Sequence, residues 1–482
     1  MNKDSVLETP ISKHLAMENQ PPPYHAFEHL GEFFVYDTYN CAFFHIDEPT
    51  KIFLDLCLEM SIDDAKIAFE RNPNYNDDTK INVMKEVEIM GENGLFLTPN
   101  YTVSYISMEK QLRHRYESIW NKLELSLSEG CNLACKYCYC ATSRDIPEKG
   151  LMSERVAKAA VNWLFAHSGK SEMVSITLFG GEPLLNKPVL KFVVDYSQKL
   201  AKLHGKRVFY SMTTNGTLLD DEIISYIKRY NFGLMVSLDG PKELHDNQCP
   251  TQGGKGSFDS AAAGIKRLMS KRRSVTVRGT MIRPLPNILE LVKFYEDFGF
   301  TRIVLGKATN PANPSRVDCS VEDFNEYYKQ SREEIVPWLL EKLKKGERPK
   351  YYPYSAFVDN FEKGKVSKRV SPFRCGACRG TTTVGADGIL YPCHRFVGMG
   401  NWEIGNIFDG PNYEACKSFW RDYNRAISNK CTKCWKYSIC KAPCPWELAN
   451  SDGTFRTPYQ CEYSEEYIKN GAYILLKKQA LE

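Results

Sequence analysis

The sequence predicts an α/β protein in three parts: a mixed N-terminal unit, a parallel β/α core and a cysteine-dense C-terminal segment. Three observations carry this reading. Between residues 121 and 306, six apolar, β-rich runs alternate with amphipathic stretches, the pattern of strands joined by crossover helices. Ahead of them, residues 24–105 mix short aromatic strands with helical spacing. Behind them, nine of the 17 cysteines crowd between Cys375 and Cys461, in chain with little periodicity.

Taken in order, residues 1–23 read as a flexible lead ending in Gln20-Pro21-Pro22-Pro23. Residues 24–105 read as a small winged-helix-like domain. Runs 25–36 and 42–46, rich in Phe, Tyr and Val, flank a turn at 37–41 as the arms of a hairpin would. Ile52, Phe53, Leu56, Cys57 and Met60 then recur at helical spacing, as do Val83, Val87 and Met90. In residues 106–317 strands are expected at 123–127, 173–179, 208–213, 234–238, 275–281 and 302–305. The intervening helices are exemplified by 153–167, with Val156, Ala160, Trp163 and Leu164 on one face. Six such repeats favour a parallel sheet, open or curled into a partial barrel. Residues 318–370 read as a helical connector, and 371–482 as a segment that leans on metal more than on a large apolar core.

Composition narrows the function classes. The 482 residues are 43% hydrophobic and 25% charged with a net charge of +4, ordinary for a folded chain and too weakly basic to imply nucleic acid. No apolar run approaches the ~18 residues of a membrane helix, and the opening MNKDSVLETPISKH has no apolar core of a secretory signal. A cytoplasmic location with no membrane contact is the expectation. There thiols stay reduced, so the cysteines point to metal or catalysis.

Cys131, Cys135 and Cys138 form a C-x3-C-x2-C knot directly after the first core strand. Three thiolates on one loop suit an iron–sulfur cube with one iron left open, whereas a structural zinc site wants four protein ligands. Cys140 is a candidate fourth, and its C-x-C step is geometrically awkward. The C-terminal spacing is Cys375-x2-Cys378-x9-Gly388-x4-Cys393, then Cys431-x2-Cys434-x5-Cys440-x3-Cys444, then Cys461. Iron–sulfur clusters and zinc ribbons share such spacing, so by itself it leaves both open.

The run CNLACKYCYC, with FGGEPLL at 179–185, MTTNGTLL at 212–219 and SLDGPKELHD at 237–246, resembles the radical S-adenosylmethionine (SAM) superfamily in order and spacing. The resemblance implies a partial (β/α)6 barrel in which Cys131, Cys135 and Cys138 hold a 4Fe–4S cluster whose open iron is chelated by SAM. It further implies reductive cleavage of SAM to a 5′-deoxyadenosyl radical that abstracts a substrate hydrogen. Gly180 and Gly181 would let backbone approach the methionine moiety, and Glu182 would accept from its ammonium group. Ser237 matches the family's ribose-contacting serine, and Tyr137 would lie near the adenine. Arg278 would pair with the SAM carboxylate or serve as a barrel-wall ion pair. Sulfatase maturases in this superfamily carry an arginine where Cys249 stands. That contact is not carried over, and Cys249 reads as a small buried residue or as a thiol near the cofactor.

The C-terminal segment is similar to the SPASM extension of such enzymes, which holds two auxiliary 4Fe–4S clusters. By position, auxiliary cluster I takes Cys375, Cys378, Cys393 and Cys444, and auxiliary cluster II takes Cys431, Cys434, Cys440 and Cys461. One ligand of the first could be free, leaving it open to a substrate thiolate. The run Tyr391-Pro392-Cys393-His394-Arg395-Phe396 resembles maturases that build thioether crosslinks in ribosomally made peptides. Sulfatase maturases use an aspartate as base where His394 stands, and a histidine of pKa ~6.5 can do the same task or simply hydrogen-bond beside the cluster. Residues 24–105 would recognise a leader sequence by strand addition. The implied partners are a precursor peptide or small protein and a low-potential electron donor such as ferredoxin or flavodoxin. Other peptide oxidations, carbon–carbon crosslinking or formylglycine formation, stand as alternatives on this scaffold. A zinc-stabilised binding protein is the alternative from another class.

Overall fold

The computed structural model describes residues 21–97, 99, 105–138, 150–272, 274–308, 318–366, 371–440, 442–458 and 462–481. The first described unit is a three-stranded antiparallel sheet, β1 (Tyr24–His29), β2 (Glu32–Asp37) and β3 (Ala42–Ile46), followed by helices Glu48–Glu59, Ile62–Glu70 and Asp77–Glu92. The stretch 25–36 was expected as a single arm of a hairpin. It is two strands, because Leu30 and Gly31 take φ of 55° and 76° and reverse the chain between them. Asp47 caps the first helix, its carboxylate accepting from the Thr50 amide at 2.8 Å.

The sheet buries both faces. Tyr24, Val35 and Ile46 join Phe53, Leu54, Phe69 and Val83 of the helices in one core. Phe27, Phe34, Tyr36 and Phe43 face the other way and enter the main core of the molecule. There Phe43 packs on Phe357 and Phe361, and Phe34 on Tyr473.

The six expected core strands are present as β4 (Lys122–Ser128), β5 (Met173–Gly180), β6 (Arg207–Thr214), β7 (Gly233–Ser237), β8 (Thr276–Met281) and β9 (Arg302–Lys307). They are parallel and neighbour one another in sequence order. Alternation divides each strand. Leu123, Leu125 and Leu127 of β4 and Ile176 and Leu178 of β5 are buried under the helix layer, for example against Ala160 and Leu164. Glu124, Thr177, Ser211 and Arg278 lie on the opposite, inner face, where Thr177 and Ser211 share a hydrogen bond of 2.8 Å.

The C-terminal segment is built into this sheet. Strand β10 (Thr381–Val384) runs parallel to β4, with Thr383 opposite Glu124, and continues through β11 (Ile389–Tyr391), β12 (Gly405–Asn406) and β13 (Gly410–Pro411). One ten-stranded mixed sheet results. Helices Val321–Gln330, Val336–Lys344 and Tyr352–Glu362 bridge the two regions, and helix Glu462–Gln479 packs on them and on the N-terminal sheet. No helix among the described residues is long and apolar enough to cross a membrane.

Candidate functional site

The cysteine loop leaves the C-terminal end of β4, where ligands of parallel sheets bind. Its backbone is tied on three sides. From β5, the Gly181 amide donates to the Ser128 carbonyl at 2.7 Å and the Glu182 amide to Gly130 at 3.0 Å. A Cβ on Gly180, whose φ is +135°, would lie 2.1 Å from the Ser128 oxygen, and one on Gly181 would lie 2.3 Å from the Gly130 oxygen. The two glycines therefore admit the cysteine loop itself at close range. From the loop after β7, the Pro250 and Gln248 carbonyls accept from Ala134 and Lys136 at 2.8 and 2.9 Å. Gln252 Nε2 donates to the Cys131 and Leu133 carbonyls. From the end of β6, Asn215 Nδ2 donates to Asn132 Oδ1 at 2.9 Å and reaches Cys131 Sγ at 3.7 Å.

Glu182 lies at the centre of these ties. It is wholly buried and accepts from the Leu184 amide (3.0 Å), Thr214 Oγ1 (2.8 Å) and the Asn215 amide (2.8 Å). Burial pushes its pKa up to about 7 against those donors. A bound ammonium would share oxygens already committed to the strand ends, and would hold the carboxylate ionised.

Tyr137 donates its hydroxyl to Asp239 Oδ2 at 2.7 Å, and Cys249 Sγ lies 3.2 Å from the same oxygen. Asp239 follows β7, is buried, and takes the Thr280 amide on its other oxygen at 2.9 Å. Burial raises its pKa. Ser237 ends β7 on the inner face. The Arg278 guanidinium, from β8, covers Gly306, where a Cβ would meet its Nη2 at 2.0 Å. Cys131, Cys135, Cys138, Tyr137, Gly180, Gly181 and Glu182 thus stand together at the C-terminal ends of the parallel strands, where Ser237 ends β7, and Arg278 of β8 is in register with Ser237. Cys140 lies outside the described residues.

The second group forms where β10–β13 meet β4. Cys375 stands within electrostatic reach of Cys378, Cys393 and Cys444, and Cys393 within reach of Cys378 and Cys444. Cys431 and Cys434 lie around a turn at the end of helix Tyr413–Cys431, and Cys440 follows within a short helix. Cys461 lies outside the described residues. His394, next to Cys393, is gripped twice by Glu124 Oε2, through its backbone amide at 3.2 Å and Nδ1 at 3.1 Å, while its ring lies 4.3 Å from that of Phe179. Burial alone would raise the Glu124 pKa, but His394 and the 2.7 Å Thr383 hydroxyl bring it below the usual value.

The thiols test whether iron–sulfur cubes fit. Among the described residues no three His, Cys, Asp or Glu side chains close around one point as ligands of a single ion. A cube is held by thiolates at separate corners, and the donor set here is all sulfur, the chemistry such a cluster takes. Burial pushes the Cys131 thiol up to about 12 and raises that of Cys393 as well. Only a bound cation would deprotonate thiols so placed.

Against known proteins, residues 125–298 match the Radical SAM superfamily. The chain carries a radical SAM domain. It is similar to the cysteine-type anaerobic sulfatase-maturating enzyme of Clostridium perfringens, at 24% identity over 71% of this chain and 93% of the relative. It is also similar to the radical SAM cyclopropyl synthase TigE of Paramaledivibacter caminithermalis, at 23% identity over 77% and 78%. Among solved structures, native anSMEcpe with bound AdoMet superposes with a TM-score of 0.62 at 20% identity, covering 75% of this chain and all of that one. Streptococcus suis SuiB bound to precursor peptide SuiA gives 0.50 at 14% identity, covering 91% and 98%. These likenesses show an α/β radical SAM fold with a mixed sheet. The protein is an enzyme of the radical, oxidoreductase type, and its domain implies a 4Fe–4S cluster and SAM.

Sequence reasoning missed Glu124, Asp239, Asn215 and Gln252. Glu124 had a local signal, a carboxylate amid the alternating Leu-Glu-Leu-Ser-Leu of β4, and Asn215 and Asp239 stand inside the motif runs at 212–219 and 237–246. Gln252 became a partner of the cysteine loop only through tertiary contact.

Proposed function

We propose that this enzyme modifies a ribosomally made peptide or small protein, joining a cysteine sulfur to a carbon as a thioether. The observation that carries the reading is the Glu124–His394 contact, which seats the C-terminal cysteines against the inner face of the barrel's first strand. Cys131, Cys135 and Cys138 would hold the SAM-binding cluster. Cys375, Cys378, Cys393 and Cys444 would hold auxiliary cluster I, and Cys431, Cys434, Cys440 and Cys461 auxiliary cluster II. When bound, cluster and SAM supply a radical able to take hydrogen from carbon. Ser237 and Arg278 would position the SAM moieties, while Gly180 and Gly181 let the cysteine loop lie close against β5. With its Nδ1 held by Glu124, His394 leaves Nε2 to hold a proton taken from a substrate thiol. A low-potential donor of the ferredoxin or flavodoxin kind would supply the electron that starts the reaction, and the electron released as the thiolate bonds to the substrate carbon would pass to the auxiliary clusters.

The N-terminal sheet would bind the leader along β3, which among the described residues pairs with a strand on one side only. The SuiB likeness, spanning more of the chain than the sulfatase-maturase one, supports that role. Removing residues 1–105 would test it badly, since Trp435, Phe357 and Tyr473 would lose their cover. Phe44→Asp on the exposed side of β3 is the cleaner probe. It should raise KM for full-length peptide about tenfold, ~1.4 kcal/mol, with kcat unchanged.

The deciding experiment is anaerobic co-expression with the short reading frame beside this gene, followed by mass spectrometry. Loss of two hydrogens per crosslink, with the cysteine no longer alkylated, is expected. Full yield from His394→Ala would remove the base role. The sulfatase-maturase likeness favours a second reading, formylglycine formation, and a product carrying an aldehyde in place of a crosslink would establish it.

A further inference from the structure

The last barrel strand, β9, ends on Lys307, and its side chain lies in an aromatic cage. The ammonium stands 3.9 Å from the ring centre of Tyr327, 4.3 Å from that of Phe324 and 4.6 Å from that of Tyr328, all on helix Val321–Gln330. One wall is fixed in place, because the Tyr327 hydroxyl shares a hydrogen bond of 2.7 Å with that of Tyr351 and both rings are buried. The preceding residue, Gly306, is the one covered by the Arg278 guanidinium. The cage therefore stands on the rim of the barrel, at the C-terminal ends of the strands, where parallel sheets take their ligands.

We propose that Lys307 is a specificity residue of the peptide site, its ammonium receiving a carboxylate of the substrate, from an acidic side chain or from the chain terminus. The inference rests on the peptide-modifying reading under Proposed function and adds a requirement on the substrate.

Aromatic faces attract a cation, but they leave the three ammonium protons without strong acceptors. Among the described residues Lys307 forms no ion pair and no hydrogen bond. Carboxylates on neighbouring elements are engaged elsewhere. Asp323 is held by Arg283 at 2.9 Å and accepts from the Ser320 amide at 2.7 Å. Glu326 accepts from Gln330 at 3.0 Å, and Glu447 from the Cys444 amide at 3.3 Å. Burial lowers the Lys307 pKa to about 7, although Cys319 and Glu447 act to raise it. A cation so placed costs stability that a leucine or methionine filling the same space would not. A docked carboxylate removes that cost, since it supplies the acceptor where rings have displaced water. The residue as a whole is half-buried, which leaves a way in from solvent. Lys307 shares the strand face of Ile303 and Leu305, turned to the helix layer, whereas Arg278 lies on the inner face. The amine thus meets what passes over the rim, the peptide, while SAM belongs to the interior.

The test uses the reconstituted full-length enzyme and the precursor encoded beside its gene, in a steady-state crosslinking assay read by mass spectrometry. Lys307→Met keeps an apolar stem in the cage and should raise KM about tenfold, with kcat changing far less. Wild type should lose the same factor when one acidic residue of the core peptide becomes its amide. If the terminus is the ligand, a peptide ending in a carboxamide shows that loss instead. Neither peptide change should cost Lys307→Met anything further. Unchanged KM for Lys307→Met, or losses that add for every peptide variant, would overturn the inference. Where Lys307→Met fails to fold, Lys307→Arg should keep peptide affinity and Lys307→Gln lose it. A second readout needs no turnover: acetate should slow amine-directed labelling of Lys307, measured by mass spectrometry, and acetamide should not. Equal labelling under the two, at matched ionic strength, counts against the proposal. Protection by acetate in an enzyme that leaves the precursor unmodified would instead defeat the peptide-modifying reading alone.

Discussion

The N-terminal sheet and the barrel sheet are joined to the C-terminal region in different ways. The three-stranded sheet is joined face to face: Phe34 points into the main core while its neighbour Val35 points into a separate helical core. The barrel sheet is joined edge to edge, since β10 continues the hydrogen-bond ladder of β4. A face-to-face contact is non-directional burial that can come apart while each side keeps its backbone bonds. An edge contact shares the ladder, so barrel and cysteine segment stand or fall together.

The strongest way to break this contrast is Trp420→Ala. Trp420 is wholly buried in helix Tyr413–Cys431 and donates to the Ala377 carbonyl at 2.8 Å. Its loss should cost about 3–5 kcal/mol, lowering the main calorimetric transition of barrel and cysteine segment as one. Phe53→Ala removes a ring 1% exposed in the N-terminal helical core, with a similar local cost of about 3–5 kcal/mol. There an early, separate transition should appear while the main one moves little; a single shifted transition would show the two cores to be one.

A smaller effect sharpens the face contact. His29 Nε2 meets Asn470 Oδ1 at 2.9 Å, and burial lowers the His29 pKa to about 4. The folded form then binds fewer protons than the unfolded one between pH 6.5 and 4. Stability is full above pH 6.5, falls across that window, and is lower by about 3 kcal/mol below it. His25, stacked on Trp435 at 3.9 Å, is likewise lowered to about 4 and adds in the same sense. His29→Gln keeps a hydrogen-bonding amide and should flatten the fall in melting temperature between pH 6.5 and 4.5.

Much of the core was legible in the chain. The six strands of the barrel announce themselves by apolar runs at regular intervals, and the three-cysteine knot falls at the end of the first, because short-range pattern decides both. The hairpin at 25–36 was misread because a Leu-Gly turn with two positive φ values interrupts a run that looks continuous. The four strands after Ser371 were not foreseen at all. They are two to four residues long, too short for any period to register, and exist because β4 offers an edge.

What the sequence determined by itself is the inventory: where the thiols and glycines fall along the chain and which strands alternate. Spacing along a chain carries that information directly. Only the tertiary structure decided the partners. Glu124 grips His394 across 270 residues, and Tyr137 and Cys249 meet at Asp239 from 112 residues apart. No local pattern encodes such meetings, because they arise when strands far apart in the chain are brought side by side to bury their apolar faces.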